Sequence, residues 1–189
     1  MRLHLMGRFI DFVLLCIVTC RGKRQSMKLL YPVLLMLLAQ ALLSQDRIVE
    51  AYPEVFDKAA REQKNVFFIF SHERCGWCRV FDMYHETPEV KEILEKDYLF
   101  EIIDITDSEP LTELWKHCGF TGVPSSLIYS PGKELLFDGK TEEGNPVGYP
   151  LSPGSMDAYI NAIRESSTRI SEKQLKVLRE KIVYCDEHF

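Results

Sequence analysis

Residues 70–81, FSHERCGWCRVF, contain two cysteines, Cys75 and Cys78, with two residues between them. The run NVFFIF (65–70) that leads into this stretch is continuous and apolar, which is typical of a strand buried on both faces. The residues RVFDMYHE (79–86) that follow the pair predict a helix. The cysteine pair is therefore expected at the junction between a buried strand and the start of a helix.

This position gives the two cysteines different chemistry. Unpaired backbone N–H groups and the dipole at the start of a helix favour a negative charge, so the thiol of Cys75 is expected to ionise readily. The Cys75 thiolate can attack a disulfide of another protein, and Cys78, one helical turn along, can attack the mixed disulfide that results. Between them, Gly76 lets a partner chain approach closely, and Trp77 offers an exposed aromatic surface. The pattern predicts a redox-active pair.

Two other interpretations of the pair stay open from the residues alone. A structural zinc site needs four ligands, and the remaining candidates are His117 with Cys118 and Cys185 with His188. The second alternative is a purely structural disulfide, although a ring closed over two intervening residues at a helix start is strained and labile. The shortage of ligands and the lability of such a ring favour the redox interpretation, and no metal is assigned.

The N-terminal residues have the composition of a secretory signal. The basic cluster RGKRQSMK (21–28) precedes the apolar run LLYPVLLMLLAQALL (29–43), which is shorter than the ~20 residues that cross a bilayer comfortably. Residues 1–44 are therefore interpreted as a signal region, within which Met27 can serve as the true start. The chain is expected to be exported, to the periplasm or another extracytoplasmic compartment. The alternative is an uncleaved segment that tethers the domain to the membrane.

The charge of the chain and its expected export limit the kinds of partner that it can bind. The 189-residue chain contains 23 Lys and Arg and 28 Asp and Glu, and six of the basic residues but one acidic residue, Asp11, lie before residue 45. The exported part is strongly acidic, which argues against nucleic acid as a partner. It retains four cysteines, and disulfides persist outside the cytoplasm. Cys118 and Cys185 are accordingly a candidate structural disulfide that joins the C-terminal tail to the helix before Pro124, with two separate thiols as the alternative.

The remaining residues predict one domain, 45–170, followed by a helical tail, 171–189. Helices are predicted at 47–63, 79–86, 87–97, 109–118, 155–166 and 171–184, and strands at 65–70, 98–105, 125–130 and 135–137. Helices that alternate with buried strands imply an α/β fold with a central mixed β-sheet flanked by helices on both faces. The tail has an apolar face with Leu175, Leu178 and Ile182, which either packs onto the domain or meets a partner.

A second motif lies about 45 residues after the pair: in TGVPSSLIY (121–129), Pro124 directly precedes an apolar strand. The order of the two motifs resembles the thioredoxin superfamily, over residues 48–166. The segments CGWCRVFDMYHETPEVKEIL, IIDIT, GVPSSLIYSPGKEL and GYPLSPGSMDAYINAI are similar to the exported bacterial thioredoxin-like proteins of the SoxW and Dsb type. The resemblance implies a thioredoxin-like fold.

The same resemblance implies roles for four residues. Cys75 corresponds to the attacking thiol and Cys78 to the resolving thiol. Pro124 corresponds to a cis-proline that holds its loop against the sulfurs, and Val123 to the residue whose backbone pairs with an extended substrate segment. The cis Val–Pro bond is an expectation from the resemblance, since sequence alone favours trans.

The chain departs from thioredoxins proper at Ile69. Thioredoxins have a buried acidic residue six positions before the first cysteine, which accepts the proton of the second cysteine, and here that position is apolar. Deprotonation of Cys78 must then rely on water or on a neighbour, with Glu86 and His85 as candidates, and oxidant or isomerase-like behaviour stays open beside reduction. By residue type alone, however, the expectation is that His72, His85 and His117 face solvent and that Trp115 belongs to the core.

Three functions remain in competition. The leading hypothesis is a thiol–disulfide oxidoreductase, most simply a disulfide reductase, that acts on cysteine-containing exported proteins as a monomer and without a dissociable cofactor. The resemblance implies a membrane or periplasmic electron donor. The alternatives are a binding module that holds a metal such as copper, or a client protein, through Cys75 and Cys78 without turnover, and a scaffold that interacts through its C-terminal helix.

Overall fold

The strand that precedes the cysteine pair is the centre of the sheet. In the computed structural model, which describes residues 47–188, β1 (Asn65–Ser71) is buried along its whole length. It pairs in parallel with β2 (Tyr98–Asp104) on one side and antiparallel with β3 (Ser125–Tyr129) on the other. β4 (Leu135–Phe137) adds antiparallel to β3, so the strand order is β2-β1-β3-β4. The predicted mixed sheet and its four strands are confirmed.

Seven helices flank this sheet within the described residues. They are α1 (Arg47–Ala51), α2 (Pro53–Glu62), α3 (Gly76–Glu86), α4 (Pro88–Leu94), α5 (Glu109–His117), α6 (Pro153–Ser166) and α7 (Glu172–Glu187). The helix predicted at 47–63 is two helices, because Pro53 lacks the N–H that would continue α1 and instead occupies the first position of α2. The other helices begin and end within a few residues of the predicted positions.

The alternation of side chains along β1 divides the apolar core between two faces of the sheet. Phe67 and Ile69 point to the face covered by α3, α4, α6 and α7, which we call the four-helix face. Val66, Phe68 and Phe70 point to the face covered by α1, α2 and α5, the three-helix face. A strand buried on both faces is apolar at every position for this reason.

The C-terminal helix α7 packs onto the domain. Leu175, Leu178 and Ile182 recur at helical spacing and are at most 2% exposed, within the core of the four-helix face. A capping box, in which Gln174 and Ser171 bond each other's backbone, fixes the start of the helix. Of the two uses left open by the sequence for this apolar face, the structure shows packing within the chain.

The N-terminal predictions fall elsewhere in the chain. The signal region at 1–44 and the alternative start at Met27 lie outside the described residues. Among the helices of residues 47–188, none is both long and apolar enough to cross a membrane.

Candidate redox-active disulfide site

Cys75 and Cys78 are bonded to each other at the start of α3, with their Cα atoms 5.2 Å apart. A tight turn sets this position: the carbonyl oxygen of His72 accepts from the N–H of Cys75 at 3.0 Å, and the Nδ1 atom of His72 accepts from the N–H of Arg74 at 2.9 Å. Cys75 is the N-cap residue of α3, and its sulfur accepts from the N–H of Cys78 at 3.0 Å. The sulfur therefore lies where the unpaired amides of a helix favour an anion.

The two sulfurs differ in access to solvent. Cys75 is half-buried, whereas Cys78 is 2% exposed. The side next to Cys75 is open, because a Cβ atom added at Gly76 would meet nothing within 4 Å. Trp77, between the cysteines, is 50% exposed. A partner protein can thus reach Cys75, while Cys78 is enclosed behind it.

The loop before β3 forms a second wall of the site. The Val123–Pro124 peptide bond is cis, as the resemblance implies, and Pro124 is buried at the start of the strand. The carbonyl oxygen of Val123 lies 3.5 Å from the sulfur of Cys75. A sulfur in a disulfide has no proton to donate, so this contact can become a hydrogen bond once Cys75 is a thiol. The structure brings together all six residues that the sequence placed at the site: Cys75, Gly76, Trp77, Cys78, Val123 and Pro124.

The loop between β4 and α6 forms a third wall of the site, which the sequence did not predict. The Tyr149 ring stacks on Trp77 at 5.8 Å between centroids, with 17° between the planes, and its hydroxyl donates to the carbonyl oxygen of Ile182 in α7 at 2.7 Å. Gly139 of this loop has a positive φ, and a Cβ atom there would collide with the carbonyl oxygen of Ser126. The segment GYP (148–150), an aromatic residue between two turn formers, was the available signal.

His85 is half-buried, with its ring against the core of the four-helix face, and the prediction that it faces solvent is wrong. Its Nδ1 atom lies 2.9 Å from the carbonyl oxygen of Phe81 and carries the proton, because a carbonyl can only accept. Its Nε2 atom accepts from the Tyr159 hydroxyl at 3.2 Å. Burial lowers the pKa of His85 to about 4. The residue is two helical turns after Cys78, on the side of α3 that packs against Phe67 and Phe100. The other two predicted surface histidines, His72 and His117, are half-buried and exposed respectively.

Asp82 was also missed. It lines a cavity of about 230 Å³ between α3, α4 and the two parallel strands, together with Ile69, His85 and Phe100. Burial, and after it the negative charge of Glu86, raises the pKa of Asp82 above its usual value. Its spacing of four residues from Cys78 was the signal available in the sequence.

Cys118 and Cys185 are not bonded to each other, which corrects the proposed structural disulfide. Cys118 packs against the core of the three-helix face, and Cys185 belongs to the core of the four-helix face. The sheet lies between them, and sequence spacing carries no information on which face each thiol takes. Trp115, in the same helix as His117, packs against the core as expected, and its indole N–H donates to the Ser125 hydroxyl at 3.2 Å.

Metal ligation has little support from the geometry. Within residues 47–188, no three His, Cys, Asp or Glu side chains are grouped so that they could hold a metal ion. The ligand pairs named from the sequence, at 117–118 and 185–188, therefore do not assemble with Cys75 and Cys78 into one described site.

Comparison with known proteins bears on the fold. Residues 47–131 match the family model described as thioredoxin-like. No curated protein matches the chain significantly. Among solved structures, the chain is similar to a disulphide isomerase from Xylella fastidiosa Temecula1, with 14% identity, 71% of this chain and 89% of that chain covered, and a TM-score of 0.43.

Two further structures are similar. One is a DsbH oxidoreductase, with 16% identity, 61% of this chain and 80% of that chain covered, and a TM-score of 0.41. The other is a thioredoxin from Thermus thermophilus, with 23% identity, 41% of this chain and 59% of that chain covered, and a TM-score of 0.36. The family match over residues 47–131 and the observed sheet with its flanking helices show that the chain has a thioredoxin-like fold.

Proposed function

We propose that the protein is a thiol–disulfide oxidoreductase of the exported SoxW and Dsb type, which reduces disulfides in exported, cysteine-containing proteins. The observation that carries the proposal is the asymmetry of the bonded pair: Cys75 is accessible at a helix start and Cys78 is 2% exposed behind it. A purely structural disulfide has no need of one accessible sulfur. The asymmetry matches the separate tasks of attack and resolution.

The reaction needs the pair first in its reduced form. The thiolate of Cys75 attacks one sulfur of the client disulfide, which releases one client thiolate and leaves a mixed disulfide. Cys78 then attacks the sulfur of Cys75, which releases the second client thiolate and forms the Cys75–Cys78 bond present in the structure. Two electrons pass from the pair to the client, and a membrane or periplasmic dithiol donor returns them. The cycle requires no dissociable cofactor.

The surface beside Cys75 between Trp77 and the Val123–Pro124 bond, which we call the groove, suits an extended client segment. On one side, the backbone before Pro124 offers hydrogen-bonding groups, with the Val123 carbonyl already at the sulfur. On the other side, the exposed ring of Trp77 stacks on Tyr149 and offers apolar area for side chains that flank the client cysteine. The groove thus recognises backbone and flat apolar groups, which suits a range of client sequences.

The surroundings of Cys75 favour the reducing direction. An oxidising pair of this kind has a reduced state that is strongly stabilised. Here the helix start favours a thiolate at Cys75, with one backbone N–H bonded to the sulfur, whereas the carbonyl oxygen of Val123 opposes the negative charge. Arg74, the adjacent cation, pairs with Glu73, and its side chain is 84% exposed. This modest stabilisation of a thiolate supports a reductase.

The equilibrium reduction potential of the pair against glutathione, measured on the full chain, tests this proposal. A potential near the thioredoxin value of about −270 mV is expected, and one near the DsbA value of about −120 mV would overturn the reducing direction. Turnover of a model disulfide should vanish in Cys75→Ser and persist in Cys118→Ser, the matched cysteine control. A wild-type protein that does not turn over but binds one Cu(I) through the pair would instead identify a binding module.

A further inference from the structure

The resolving cysteine poses a problem of proton transfer. Cys78 is 2% exposed, and only its thiolate can attack the mixed disulfide. A buried thiol in apolar surroundings holds its proton more tightly than an exposed one. The proposed function therefore requires a nearby group that accepts this proton, and the inference below rests on that function.

One stripe of α3 lies above the two parallel strands. Cys78, Phe81, Asp82 and His85 are spaced i, i+3, i+4 and i+7, which places them on one side of the helix. His85 marks where the stripe lies, because its ring contacts Phe67 of β1 and Phe100 of β2.

Helix α3 runs antiparallel to β1. One helical turn rises about 5.4 Å, close to the roughly 6.6 Å of two strand residues, so the turn before His85 lies over Ile69. The cavity confirms this register, since Asp82 and Ile69 both line it. Cys78 is one further turn toward the start of the helix, with its Cβ atom about 6 Å from that of Asp82.

We propose that the carboxylate of Asp82 accepts the proton of the Cys78 thiol as Cys78 attacks the mixed disulfide, and that the cavity beside Asp82 connects this proton to solvent. The strand beneath contributes an apolar side chain, Ile69, so the acceptor is supplied from the helix above. A partly buried carboxylate with a raised pKa is a better base than an exposed one.

The other charged and titratable groups that face the cavity are less suitable acceptors of the Cys78 proton. Both ring nitrogens of His85 are engaged by Phe81 and Tyr159, and the residue is two helical turns from Cys78. Glu86 pairs with Lys91 at 2.9 Å, and its side chain is 72% exposed. Glu95, at the end of α4, and Lys91 complete the charged lining of the cavity, and the strands contribute Ile69, Phe100 and Ile102. Asp82 is the acidic group of this lining that is one turn from Cys78.

In the resolving step, one proton moves and one disulfide bond replaces another. The proton leaves the Cys78 sulfur for an Asp82 oxygen, the Cys78 thiolate forms a bond to the Cys75 sulfur, and the bond between Cys75 and the client sulfur breaks. The client leaves as a thiolate, and the proton passes from Asp82 to water in the cavity or to that thiolate. No further oxidant or reductant enters this step.

Resolution of a preformed mixed disulfide tests the proposal directly. The full chain is loaded at Cys75 with a chromophoric thiol such as thionitrobenzoate, and release is followed as a function of pH. Asp82→Asn should slow release about tenfold or more near neutral pH, with recovery as hydroxide replaces the base. Asp82→Glu should restore part of the rate, and Glu92→Gln, which removes an exposed carboxylate of α4 outside the cavity lining, should leave it unchanged.

A second readout needs no turnover. In Cys75→Ser, the pKa of the Cys78 thiol is measured by the 13C shift of its Cβ atom, with and without Asp82→Asn. A carboxylate next to the thiol opposes the thiolate, so its removal should lower the pKa of Cys78. By reciprocity, reduction of the Cys75–Cys78 bond in the wild type should change the pKa of the Asp82 carboxyl group.

The outcomes separate this inference from the proposed function. A wild-type protein that exchanges no disulfide contradicts the proposed function and the proton-transfer role with it. An active wild type whose release rate, pH profile and Cys78 pKa are all unaffected by Asp82→Asn overturns the role of Asp82 alone.

Discussion

The two faces of the sheet are held together by different kinds of interaction. On the three-helix face, rings and aliphatic chains form most of the core, as in the group Phe56, Phe68 and Tyr129, and Trp115 donates to the Ser125 hydroxyl at its edge. On the four-helix face, buried tyrosine hydroxyls add directed hydrogen bonds: Tyr149 to the Ile182 carbonyl at 2.7 Å, and Tyr159 to His85 at 3.2 Å.

The face with the tyrosine hydrogen bonds is also the face that carries the candidate site. The helix that carries Cys78 packs on the four-helix face, and directed bonds fix positions more closely than apolar contacts do. Apolar contacts supply stability without regard to exact orientation. We therefore expect changes on the three-helix face to lower stability alone, and changes on the four-helix face to alter titration and site geometry as well.

Adjacent residues of β1 give the strongest test of this comparison. Phe67→Ala and Phe68→Ala should each lower the free energy of unfolding by about 3–5 kcal/mol, because both rings are fully buried. Phe67 contacts the His85 ring, so its loss admits water there and should raise the pKa of His85; Phe68 contacts Tyr52, Phe56 and Tyr129 on the other face. Urea unfolding and NMR titration of the imidazole measure the two effects. An equal response of His85 to both substitutions would contradict the distinction between the faces.

The features that sequence predicted are those set by local pattern. The spacing of Cys75 and Cys78 on one helix, and the uninterrupted apolar run of β1, determine their own geometry almost completely. The cis bond at Pro124 came from the resemblance to a family, because residue preferences alone favour trans.

The features that sequence missed depend on packing between distant elements. His85 is polar, yet α6 supplies the Tyr159 hydroxyl that bonds its half-buried ring, and the sequence near residue 85 does not indicate that partner. Tyr149 joins the site only because the loop before α6 folds back onto Trp77.

The buried imidazole of His85 predicts a specific pH dependence of stability. Its pKa falls from 6.5 to about 4 on folding, so the unfolded chain binds the proton first. The contribution of His85 to the free energy of unfolding is complete above pH 6.5. About 2–3 kcal/mol of it is lost as the pH falls toward 4.

Unfolding free energies measured from pH 7 to pH 4 should show this loss in the wild type and a smaller one in His85→Gln. His117→Gln is the matched control, since His117 is exposed and should leave the wild-type pH dependence intact. If both variants keep the full dependence, the loss belongs to other groups and the imidazole of His85 is not held neutral by the fold.

The smallest effect is expected from the two cysteines on opposite faces. A disulfide between residues 118 and 185 would close a long loop and contribute about 4 kcal/mol by restricting the unfolded chain. Since the sheet separates the two thiols, Cys118→Ala in the oxidised protein should change the free energy of unfolding by less than about 1 kcal/mol. Alkylation of the unfolded, unreduced chain should label Cys118 and Cys185 and spare Cys75 and Cys78. A loss near 4 kcal/mol, or protection of Cys118 and Cys185 from alkylation, would mean that a covalent bond joins the two faces, and the independence of the faces would then have to be abandoned.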